Sequence, residues 1–118
     1  MALTREECKA KRNKVPKELV EVPELGGSVY VTKLTAGVRD LFDKKLNENK
    51  VNGEVNLENV RAKFVALVVV DEDGKRLFED SDIEWLGELD SDGIQKIVDV
   101  GFRINGIGTG VIENAIKN

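Results

Sequence analysis

The chain has 118 residues, 41% hydrophobic and 34% charged, with a net charge of −4, the size and balance of one globular domain with a modest core. It contains no histidine and one cysteine, which removes the commonest general base, any internal disulfide and any zinc site built from a single chain. No apolar run approaches the ~18 residues of a membrane span, and the first residues lack the apolar stretch of a secretory signal, so a cytoplasmic protein without membrane contact is expected.

Charge is distributed unevenly. Residues 1–17 carry six bases (Arg5, Lys9, Lys11, Arg12, Lys14 and Lys17) against two acids (Glu6 and Glu7). The remainder holds 12 bases and 20 acids, densest between Asp71 and Asp99. Thr4 and Glu7 have the spacing of a capping box. Residues 5–13 offer little apolar surface beyond Cys8 and Ala10, so a weakly held basic helix or arm is expected, ended by Val15-Pro16. Six bases without interleaved aromatics, on an acidic body, argue against a nucleic-acid partner. Nothing around Cys8 suggests an activated thiol.

Residues 18–34 predict a β-hairpin. Apolar and polar residues alternate on both sides of Gly26-Gly27, where positive φ costs nothing. A loop over residues 24–27 sets Val22 against Val29 and Val20 against Val31, with all four valines on one face. That face needs a helix to cover it.

Residues 35–118 predict a helical body. Thr35 caps a helix to about Asn49, with Val38, Leu41, Phe42 and Leu46 on its buried stripe. Asn52-Gly53 is a turn pair. Asn56 caps the next helix, stapled by Val55 and Val60, with Leu57, Val60, Phe64, Leu67 and Val68 in register. Its additional valines make it the most enclosed element. Residues 65–70 also read as a strand, turning at Asp73-Gly74 into residues 75–78, so the last valines are candidates to leave the helix and pair. Ser81 with Glu84 forms a further capping box before Ile83, Trp85, Leu86 and Leu89. Asp90 or Ser91 starts a helix burying Ile94, Ile97, Val98, Gly101 and Phe102, stopped at Asn105-Gly106. Thr109 caps a last short helix with Val111, Ile112, Ala115 and Ile116. The expected fold is α+β and predominantly helical: one N-terminal β-hairpin on a bundle of about four to five helices, in a single domain spanning 1–118.

Apparent chemical motifs dissolve on inspection. Aligning Gly74 with the sixth position of a calcium loop puts Val69 where the first oxygen ligand belongs. Gly106-Ile107-Gly108-Thr109-Gly110 follows a helix rather than a strand and lacks the lysine of a phosphate cradle. No carboxylate pair has a spacing that marks an acid and a base. No catalytic, cofactor or metal site is therefore expected, and binding is the default role.

The ordered set of segments is more informative than any one motif. Residues 21–35 around Gly26-Gly27, then Val38-Arg39-Asp40-Leu41-Phe42, residues 56–67, the Val70-Asp71-Glu72-Asp73-Gly74-Lys75-Arg76-Leu77-Phe78 turn, and Asn105-Gly106 before a short last helix resemble the tail assembly chaperones of long-tailed, lambda-like siphoviruses and prophages. The likeness runs over residues 18–118, with Leu25 standing where members often carry tryptophan and a last helix less acidic than usual. The resemblance implies a non-enzymatic escort, without cofactors, that binds the helical, aggregation-prone tape-measure protein and is absent from the mature virion. It also implies, in many members, a longer frameshifted form that recruits tail-tube protein. Self-association is compatible with it.

Trp85, Leu86, Leu89, Ile107 and Val111 are the candidate partner-contact residues, because short C-terminal helices are easier to leave uncovered than the central one. An alternative is a small structural tail or connector subunit, adding an edge strand to a neighbour. A regulator carrying nucleic acid on its basic arm is a third reading, marked by a steep salt dependence.

Overall fold

The computed structural model describes residues 2–48, 50–51, 54–55 and 59–107, the side chains of 45–55 excepted. Helix α1 (Arg5–Ala10) buries none of its residues. Its capping box is the one expected, with the Glu7 N–H donating to Thr4 Oγ1 over 3.2 Å. It ends at Ala10, before Val15-Pro16, and Asn13 turns the chain with φ +61°. With no apolar face to bury, its ends are held only by local bonds.

Strands β1 (Lys17–Val22) and β2 (Gly27–Thr32) form the hairpin. The loop is residues 23–26: Pro23–Leu25 make a 3₁₀ turn and Gly26, at φ +80°, donates its N–H to the Pro23 carbonyl. Val20 therefore faces Val29 and Val22 faces Gly27, two residues away from the expected register. The slip is even, so Val20, Val22, Val29 and Val31 still share one face. Proline at the first turn position, where φ is preset, favours the earlier turn.

Helix α2 (Ala36–Glu48) starts behind Thr35, whose hydroxyl accepts the Val38 N–H. Phe42 is buried and Val38 half-buried, but Leu41, expected on the stripe, is exposed. Two short strands follow, β3 (Lys50–Val51) paired antiparallel with β4 (Glu54–Val55). Asn52-Gly53, Asn56 itself and the helix from Thr109 lie outside the described residues. The next helix begins three residues later than expected, behind Asn59 rather than Asn56, with Asn59 at φ +57° and no side-chain capping bond.

Helix α3 (Val60–Val68) is the buried centre: apart from Arg61 and Lys63, all of it is in the core. The helix reading holds through Val68, and the strand reading of residues 65–70 holds only for the last two valines. Val69 and Val70 leave the helix as β5 (Val69–Val70) and pair antiparallel with β2, giving a three-stranded sheet ordered β1-β2-β5. On the other side of β5 the Leu77 N–H donates to the Val69 carbonyl. A β-branched run beside an unpaired strand edge gains a ladder there, which a further helical turn would not supply.

Helix α4 (Ile83–Leu86) follows a 3₁₀ turn over Asp80–Asp82, and α5 (Ser91–Ile104) completes the described elements. The Asp90 carboxylate caps α5 by accepting the N–H groups of Asp92 and Gly93. Ile94, Ile97, Val98, Gly101 and Phe102 are buried as expected. The helix packs on β1, β2 and α3, and so supplies the cover that the valine face needs. Its end is a Schellman motif: Gly106, at φ +65°, donates to the Arg103 carbonyl and Ile107 to that of Phe102.

Two close approaches lock this arrangement. A β-carbon on Gly101 would lie 2.5 Å from Cε2 of Phe64, so α3 and α5 meet where one of them has no side chain. Phe64 is clasped by Phe42 and Phe102, with ring centroids 5.0 and 4.8 Å away. Asn105 ties the end of α5 to the segment joining β2 and α2. Its Oδ1 accepts the Leu34 N–H over 2.7 Å, and its Nδ2 donates to the carbonyls of Gly101 and Thr32.

Candidate partner-binding surface

The surface begins in a charge run. Residues 71–90 contain nine acids and two bases. Asp71 Oδ1 accepts the backbone N–H groups of Asp73 and Lys75, at 2.8 and 3.0 Å, an Asx-type turn that spends the carboxylate on the backbone. Among the described residues no group of three or more acids, cysteines or histidines could hold a metal ion.

The cap before α4 lies two residues upstream of the expected Ser81–Glu84 box. Glu79 is the capping residue, and its N–H donates to Asp82 Oδ2 over 2.8 Å. The other oxygen of Asp82 accepts the Trp85 indole Nε1–H at 3.0 Å. One carboxylate thus closes the turn and fixes the tryptophan. The Glu79 N–H, and secondarily the indole, hold the Asp82 carboxyl below its ordinary value.

Trp85 stands edge-on to Phe78, with centroids 5.6 Å apart and planes at 83°. It is nevertheless 43% exposed, and Leu77, next to Phe78, is 50% exposed. Around this aromatic pair the chain carries Glu79, Asp80, Asp82, Glu84 and Glu88. The result is an apolar patch framed by negative charge.

The structure separates the five residues singled out from sequence. Trp85 is on the surface and Leu89 is half-buried. Leu86 is fully buried and anchors α4 to the core, and Ile107 is 7% exposed beneath the end of α5. Val111 lies outside the described residues. Leu77 and Phe78 were not singled out. The available signal was an adjacent apolar pair inside an otherwise charged run, which a period-based reading assigns to a strand.

Elsewhere, a groove of 220 Å³ lies between residues 13–15, the β2–α2 connection and Arg76. Its walls include Val15, Leu34, Val38, Leu67 and Val70, and no acid lines it, so it has no paired acid and base.

The hairpin-and-helix arrangement has a solved counterpart. The fold is similar to that of the bacteriophage HK97 tail assembly chaperone. The two chains superpose with a TM-score of 0.57 over 87% of this chain and 86% of that one, at 15% identity. No protein-family model and no curated protein sequence matches this chain. A phage tail chaperone fold is thus shared at 15% identity. No helix among the described residues is long and apolar enough to cross a membrane.

Proposed function

We propose that this protein is a phage tail assembly chaperone that binds the tape-measure protein and keeps it soluble in the host cytoplasm until the tail is built. The observation that carries the proposal is the likeness to the HK97 chaperone, which extends over nearly the full length of both chains. The Phe78–Trp85 pair, with exposed Leu77 next to it in the chain, gives it a physical means. An amphipathic helix laid on that patch buries its apolar face, while the acids around it favour a partner whose flanks are basic. Covering the apolar stripe of a long helix in this way removes the surface through which it would aggregate. In this role the chain needs no cofactor and performs no catalysis.

The test is co-expression with fragments of a phage tape-measure protein. The proposal expects a fragment to remain soluble and to co-purify, and Trp85→Ala to weaken the complex about tenfold or more, as expected for an aromatic anchor. A fragment that aggregates as much with the protein as without it overturns the proposal. Mass spectrometry of purified particles separates this role from that of a structural tail or connector subunit, which would be present in many copies.

A further inference from the structure

We propose that two copies of this chain join through the open edge of β1, antiparallel, with Leu19 of one copy facing Leu19 of the other. Strand β1 is an outer strand of the sheet. The register pairs Glu18 with Val31 and Val20 with Val29, and extends so that Pro16 faces Lys33, whose N–H donates to the Pro16 carbonyl. Hydrogen-bonded pairs recur at every second residue of an antiparallel ladder. Residues 16, 18, 20 and 22 therefore turn their main-chain groups toward β2. Lys17, Leu19 and Glu21 turn theirs outward, toward nothing in the sheet.

Those three residues also share the face away from the valines. Leu19 is 57% exposed. Lys17 rests over the Tyr30 ring, 5.3 Å from its centroid, and Glu21 makes no hydrogen bond or ion pair among the described residues. Charges on an edge normally block pairing, because an added strand meets its own sign. Here their order reverses that. With Leu19 facing Leu19, Lys17 of each copy faces Glu21 of the other, on both sides of the two-fold axis. Each facing pair then exchanges its outward main-chain hydrogen bonds. Centring the axis on Lys17 or on Glu21 sets like charges together, and centring it on Glu18 sets Glu18 against Glu18. Centring it on Val20 leaves Lys17 opposite Pro23, which has no N–H to give. Charge complementarity thus selects a second copy, in one register, and the two sheets become one continuous sheet. This surface lies on the hairpin, and the inference does not rest on the chaperone reading.

The test is sedimentation equilibrium of the full chain at low salt, over a concentration series up to its solubility limit. The expected result is reversible doubling of the 13.1 kDa mass. Leu19→Lys, which places two ammonium groups on the axis, abolishes the doubling. Lys17→Glu and Glu21→Lys each weaken the dimer about tenfold or more, as facing like charges require. The double variant Lys17→Glu/Glu21→Lys restores it. All three positions are exposed, and circular dichroism unchanged from the parent verifies the fold, with Leu19→Thr as a milder second variant. A chain that stays monomeric throughout overturns the inference. So does a dimer indifferent to Leu19→Lys, or a double variant no stronger than either single one.

Discussion

Gly101→Ala brings two opposed effects into direct competition. Gly101 lies inside α5, so alanine there gains helix propensity of about 1 kcal/mol. The new methyl would meet Phe64 at 2.5 Å to Cε2 and 2.9 Å to Cζ, roughly 1 Å inside normal carbon–carbon separation. Phe64 is fully buried and bracketed by Phe42 and Phe102, so its ring has no open direction in which to move. The helices must part, and overpacking of this kind costs about 1–3 kcal/mol. The clash therefore outweighs propensity, and the expected net loss is about 1 kcal/mol. Trimming the ring should recover it. Phe64→Leu destabilises the parent by leaving a cavity, but in the Gly101→Ala background the methyl occupies part of that space. A double-mutant cycle should show favourable coupling of at least ~1 kcal/mol. Urea denaturation followed by far-UV circular dichroism and by Trp85 fluorescence measures both quantities. A higher midpoint for Gly101→Ala, with additive single and double variants, refutes the reasoning.

Three further outcomes follow from single contacts. Asn105→Leu removes the acceptor for the buried Leu34 N–H and the donor to two carbonyls, so a loss of about 2 kcal/mol is expected in the same urea assay, the scale of a buried group left unpaired. Gly106→Ala forces a β-carbon into the left-handed region and should cost about 1 kcal/mol through the Schellman turn, read as a lowered Tm. Lys96 donates to Glu24 over 2.6 Å and holds its carboxyl below the ordinary 4.5. Because the folded value is the lower one, this contribution is present above about pH 4.5 and disappears as acid protonates Glu24 in the folded chain. In Lys96→Met, an NMR titration should show the Glu24 carboxyl moving up toward 4.5, and acid unfolding should depend less steeply on pH.

Much of this was legible in the chain itself, because local chemistry needs no distant partner. Thr4 with Glu7, Asp90 before α5 and Asn105-Gly106 after it are bonds within a few residues, and they stand where spacing put them. The faces of α5 and of the hairpin follow from periods of 3.6 and 2, which survive even the two-residue slip in register. What required the folded molecule is whatever depends on two segments meeting. The turn closed on Pro23 because its backbone was already set for it. Val69 and Val70 became a strand because β2 had an edge to offer. Apolar content alone could not tell Leu86, buried in the core, from Trp85 beside it on the surface, since a four-residue helix has no room for a full amphipathic pattern. Asn105 reads as a helix stop, and only the packing of α5 beside the β2–α2 connection turns its amide into a clamp. Periodicity assigns a side chain to a face; the other side of each contact comes from elsewhere in the chain, and only tertiary packing brings it there.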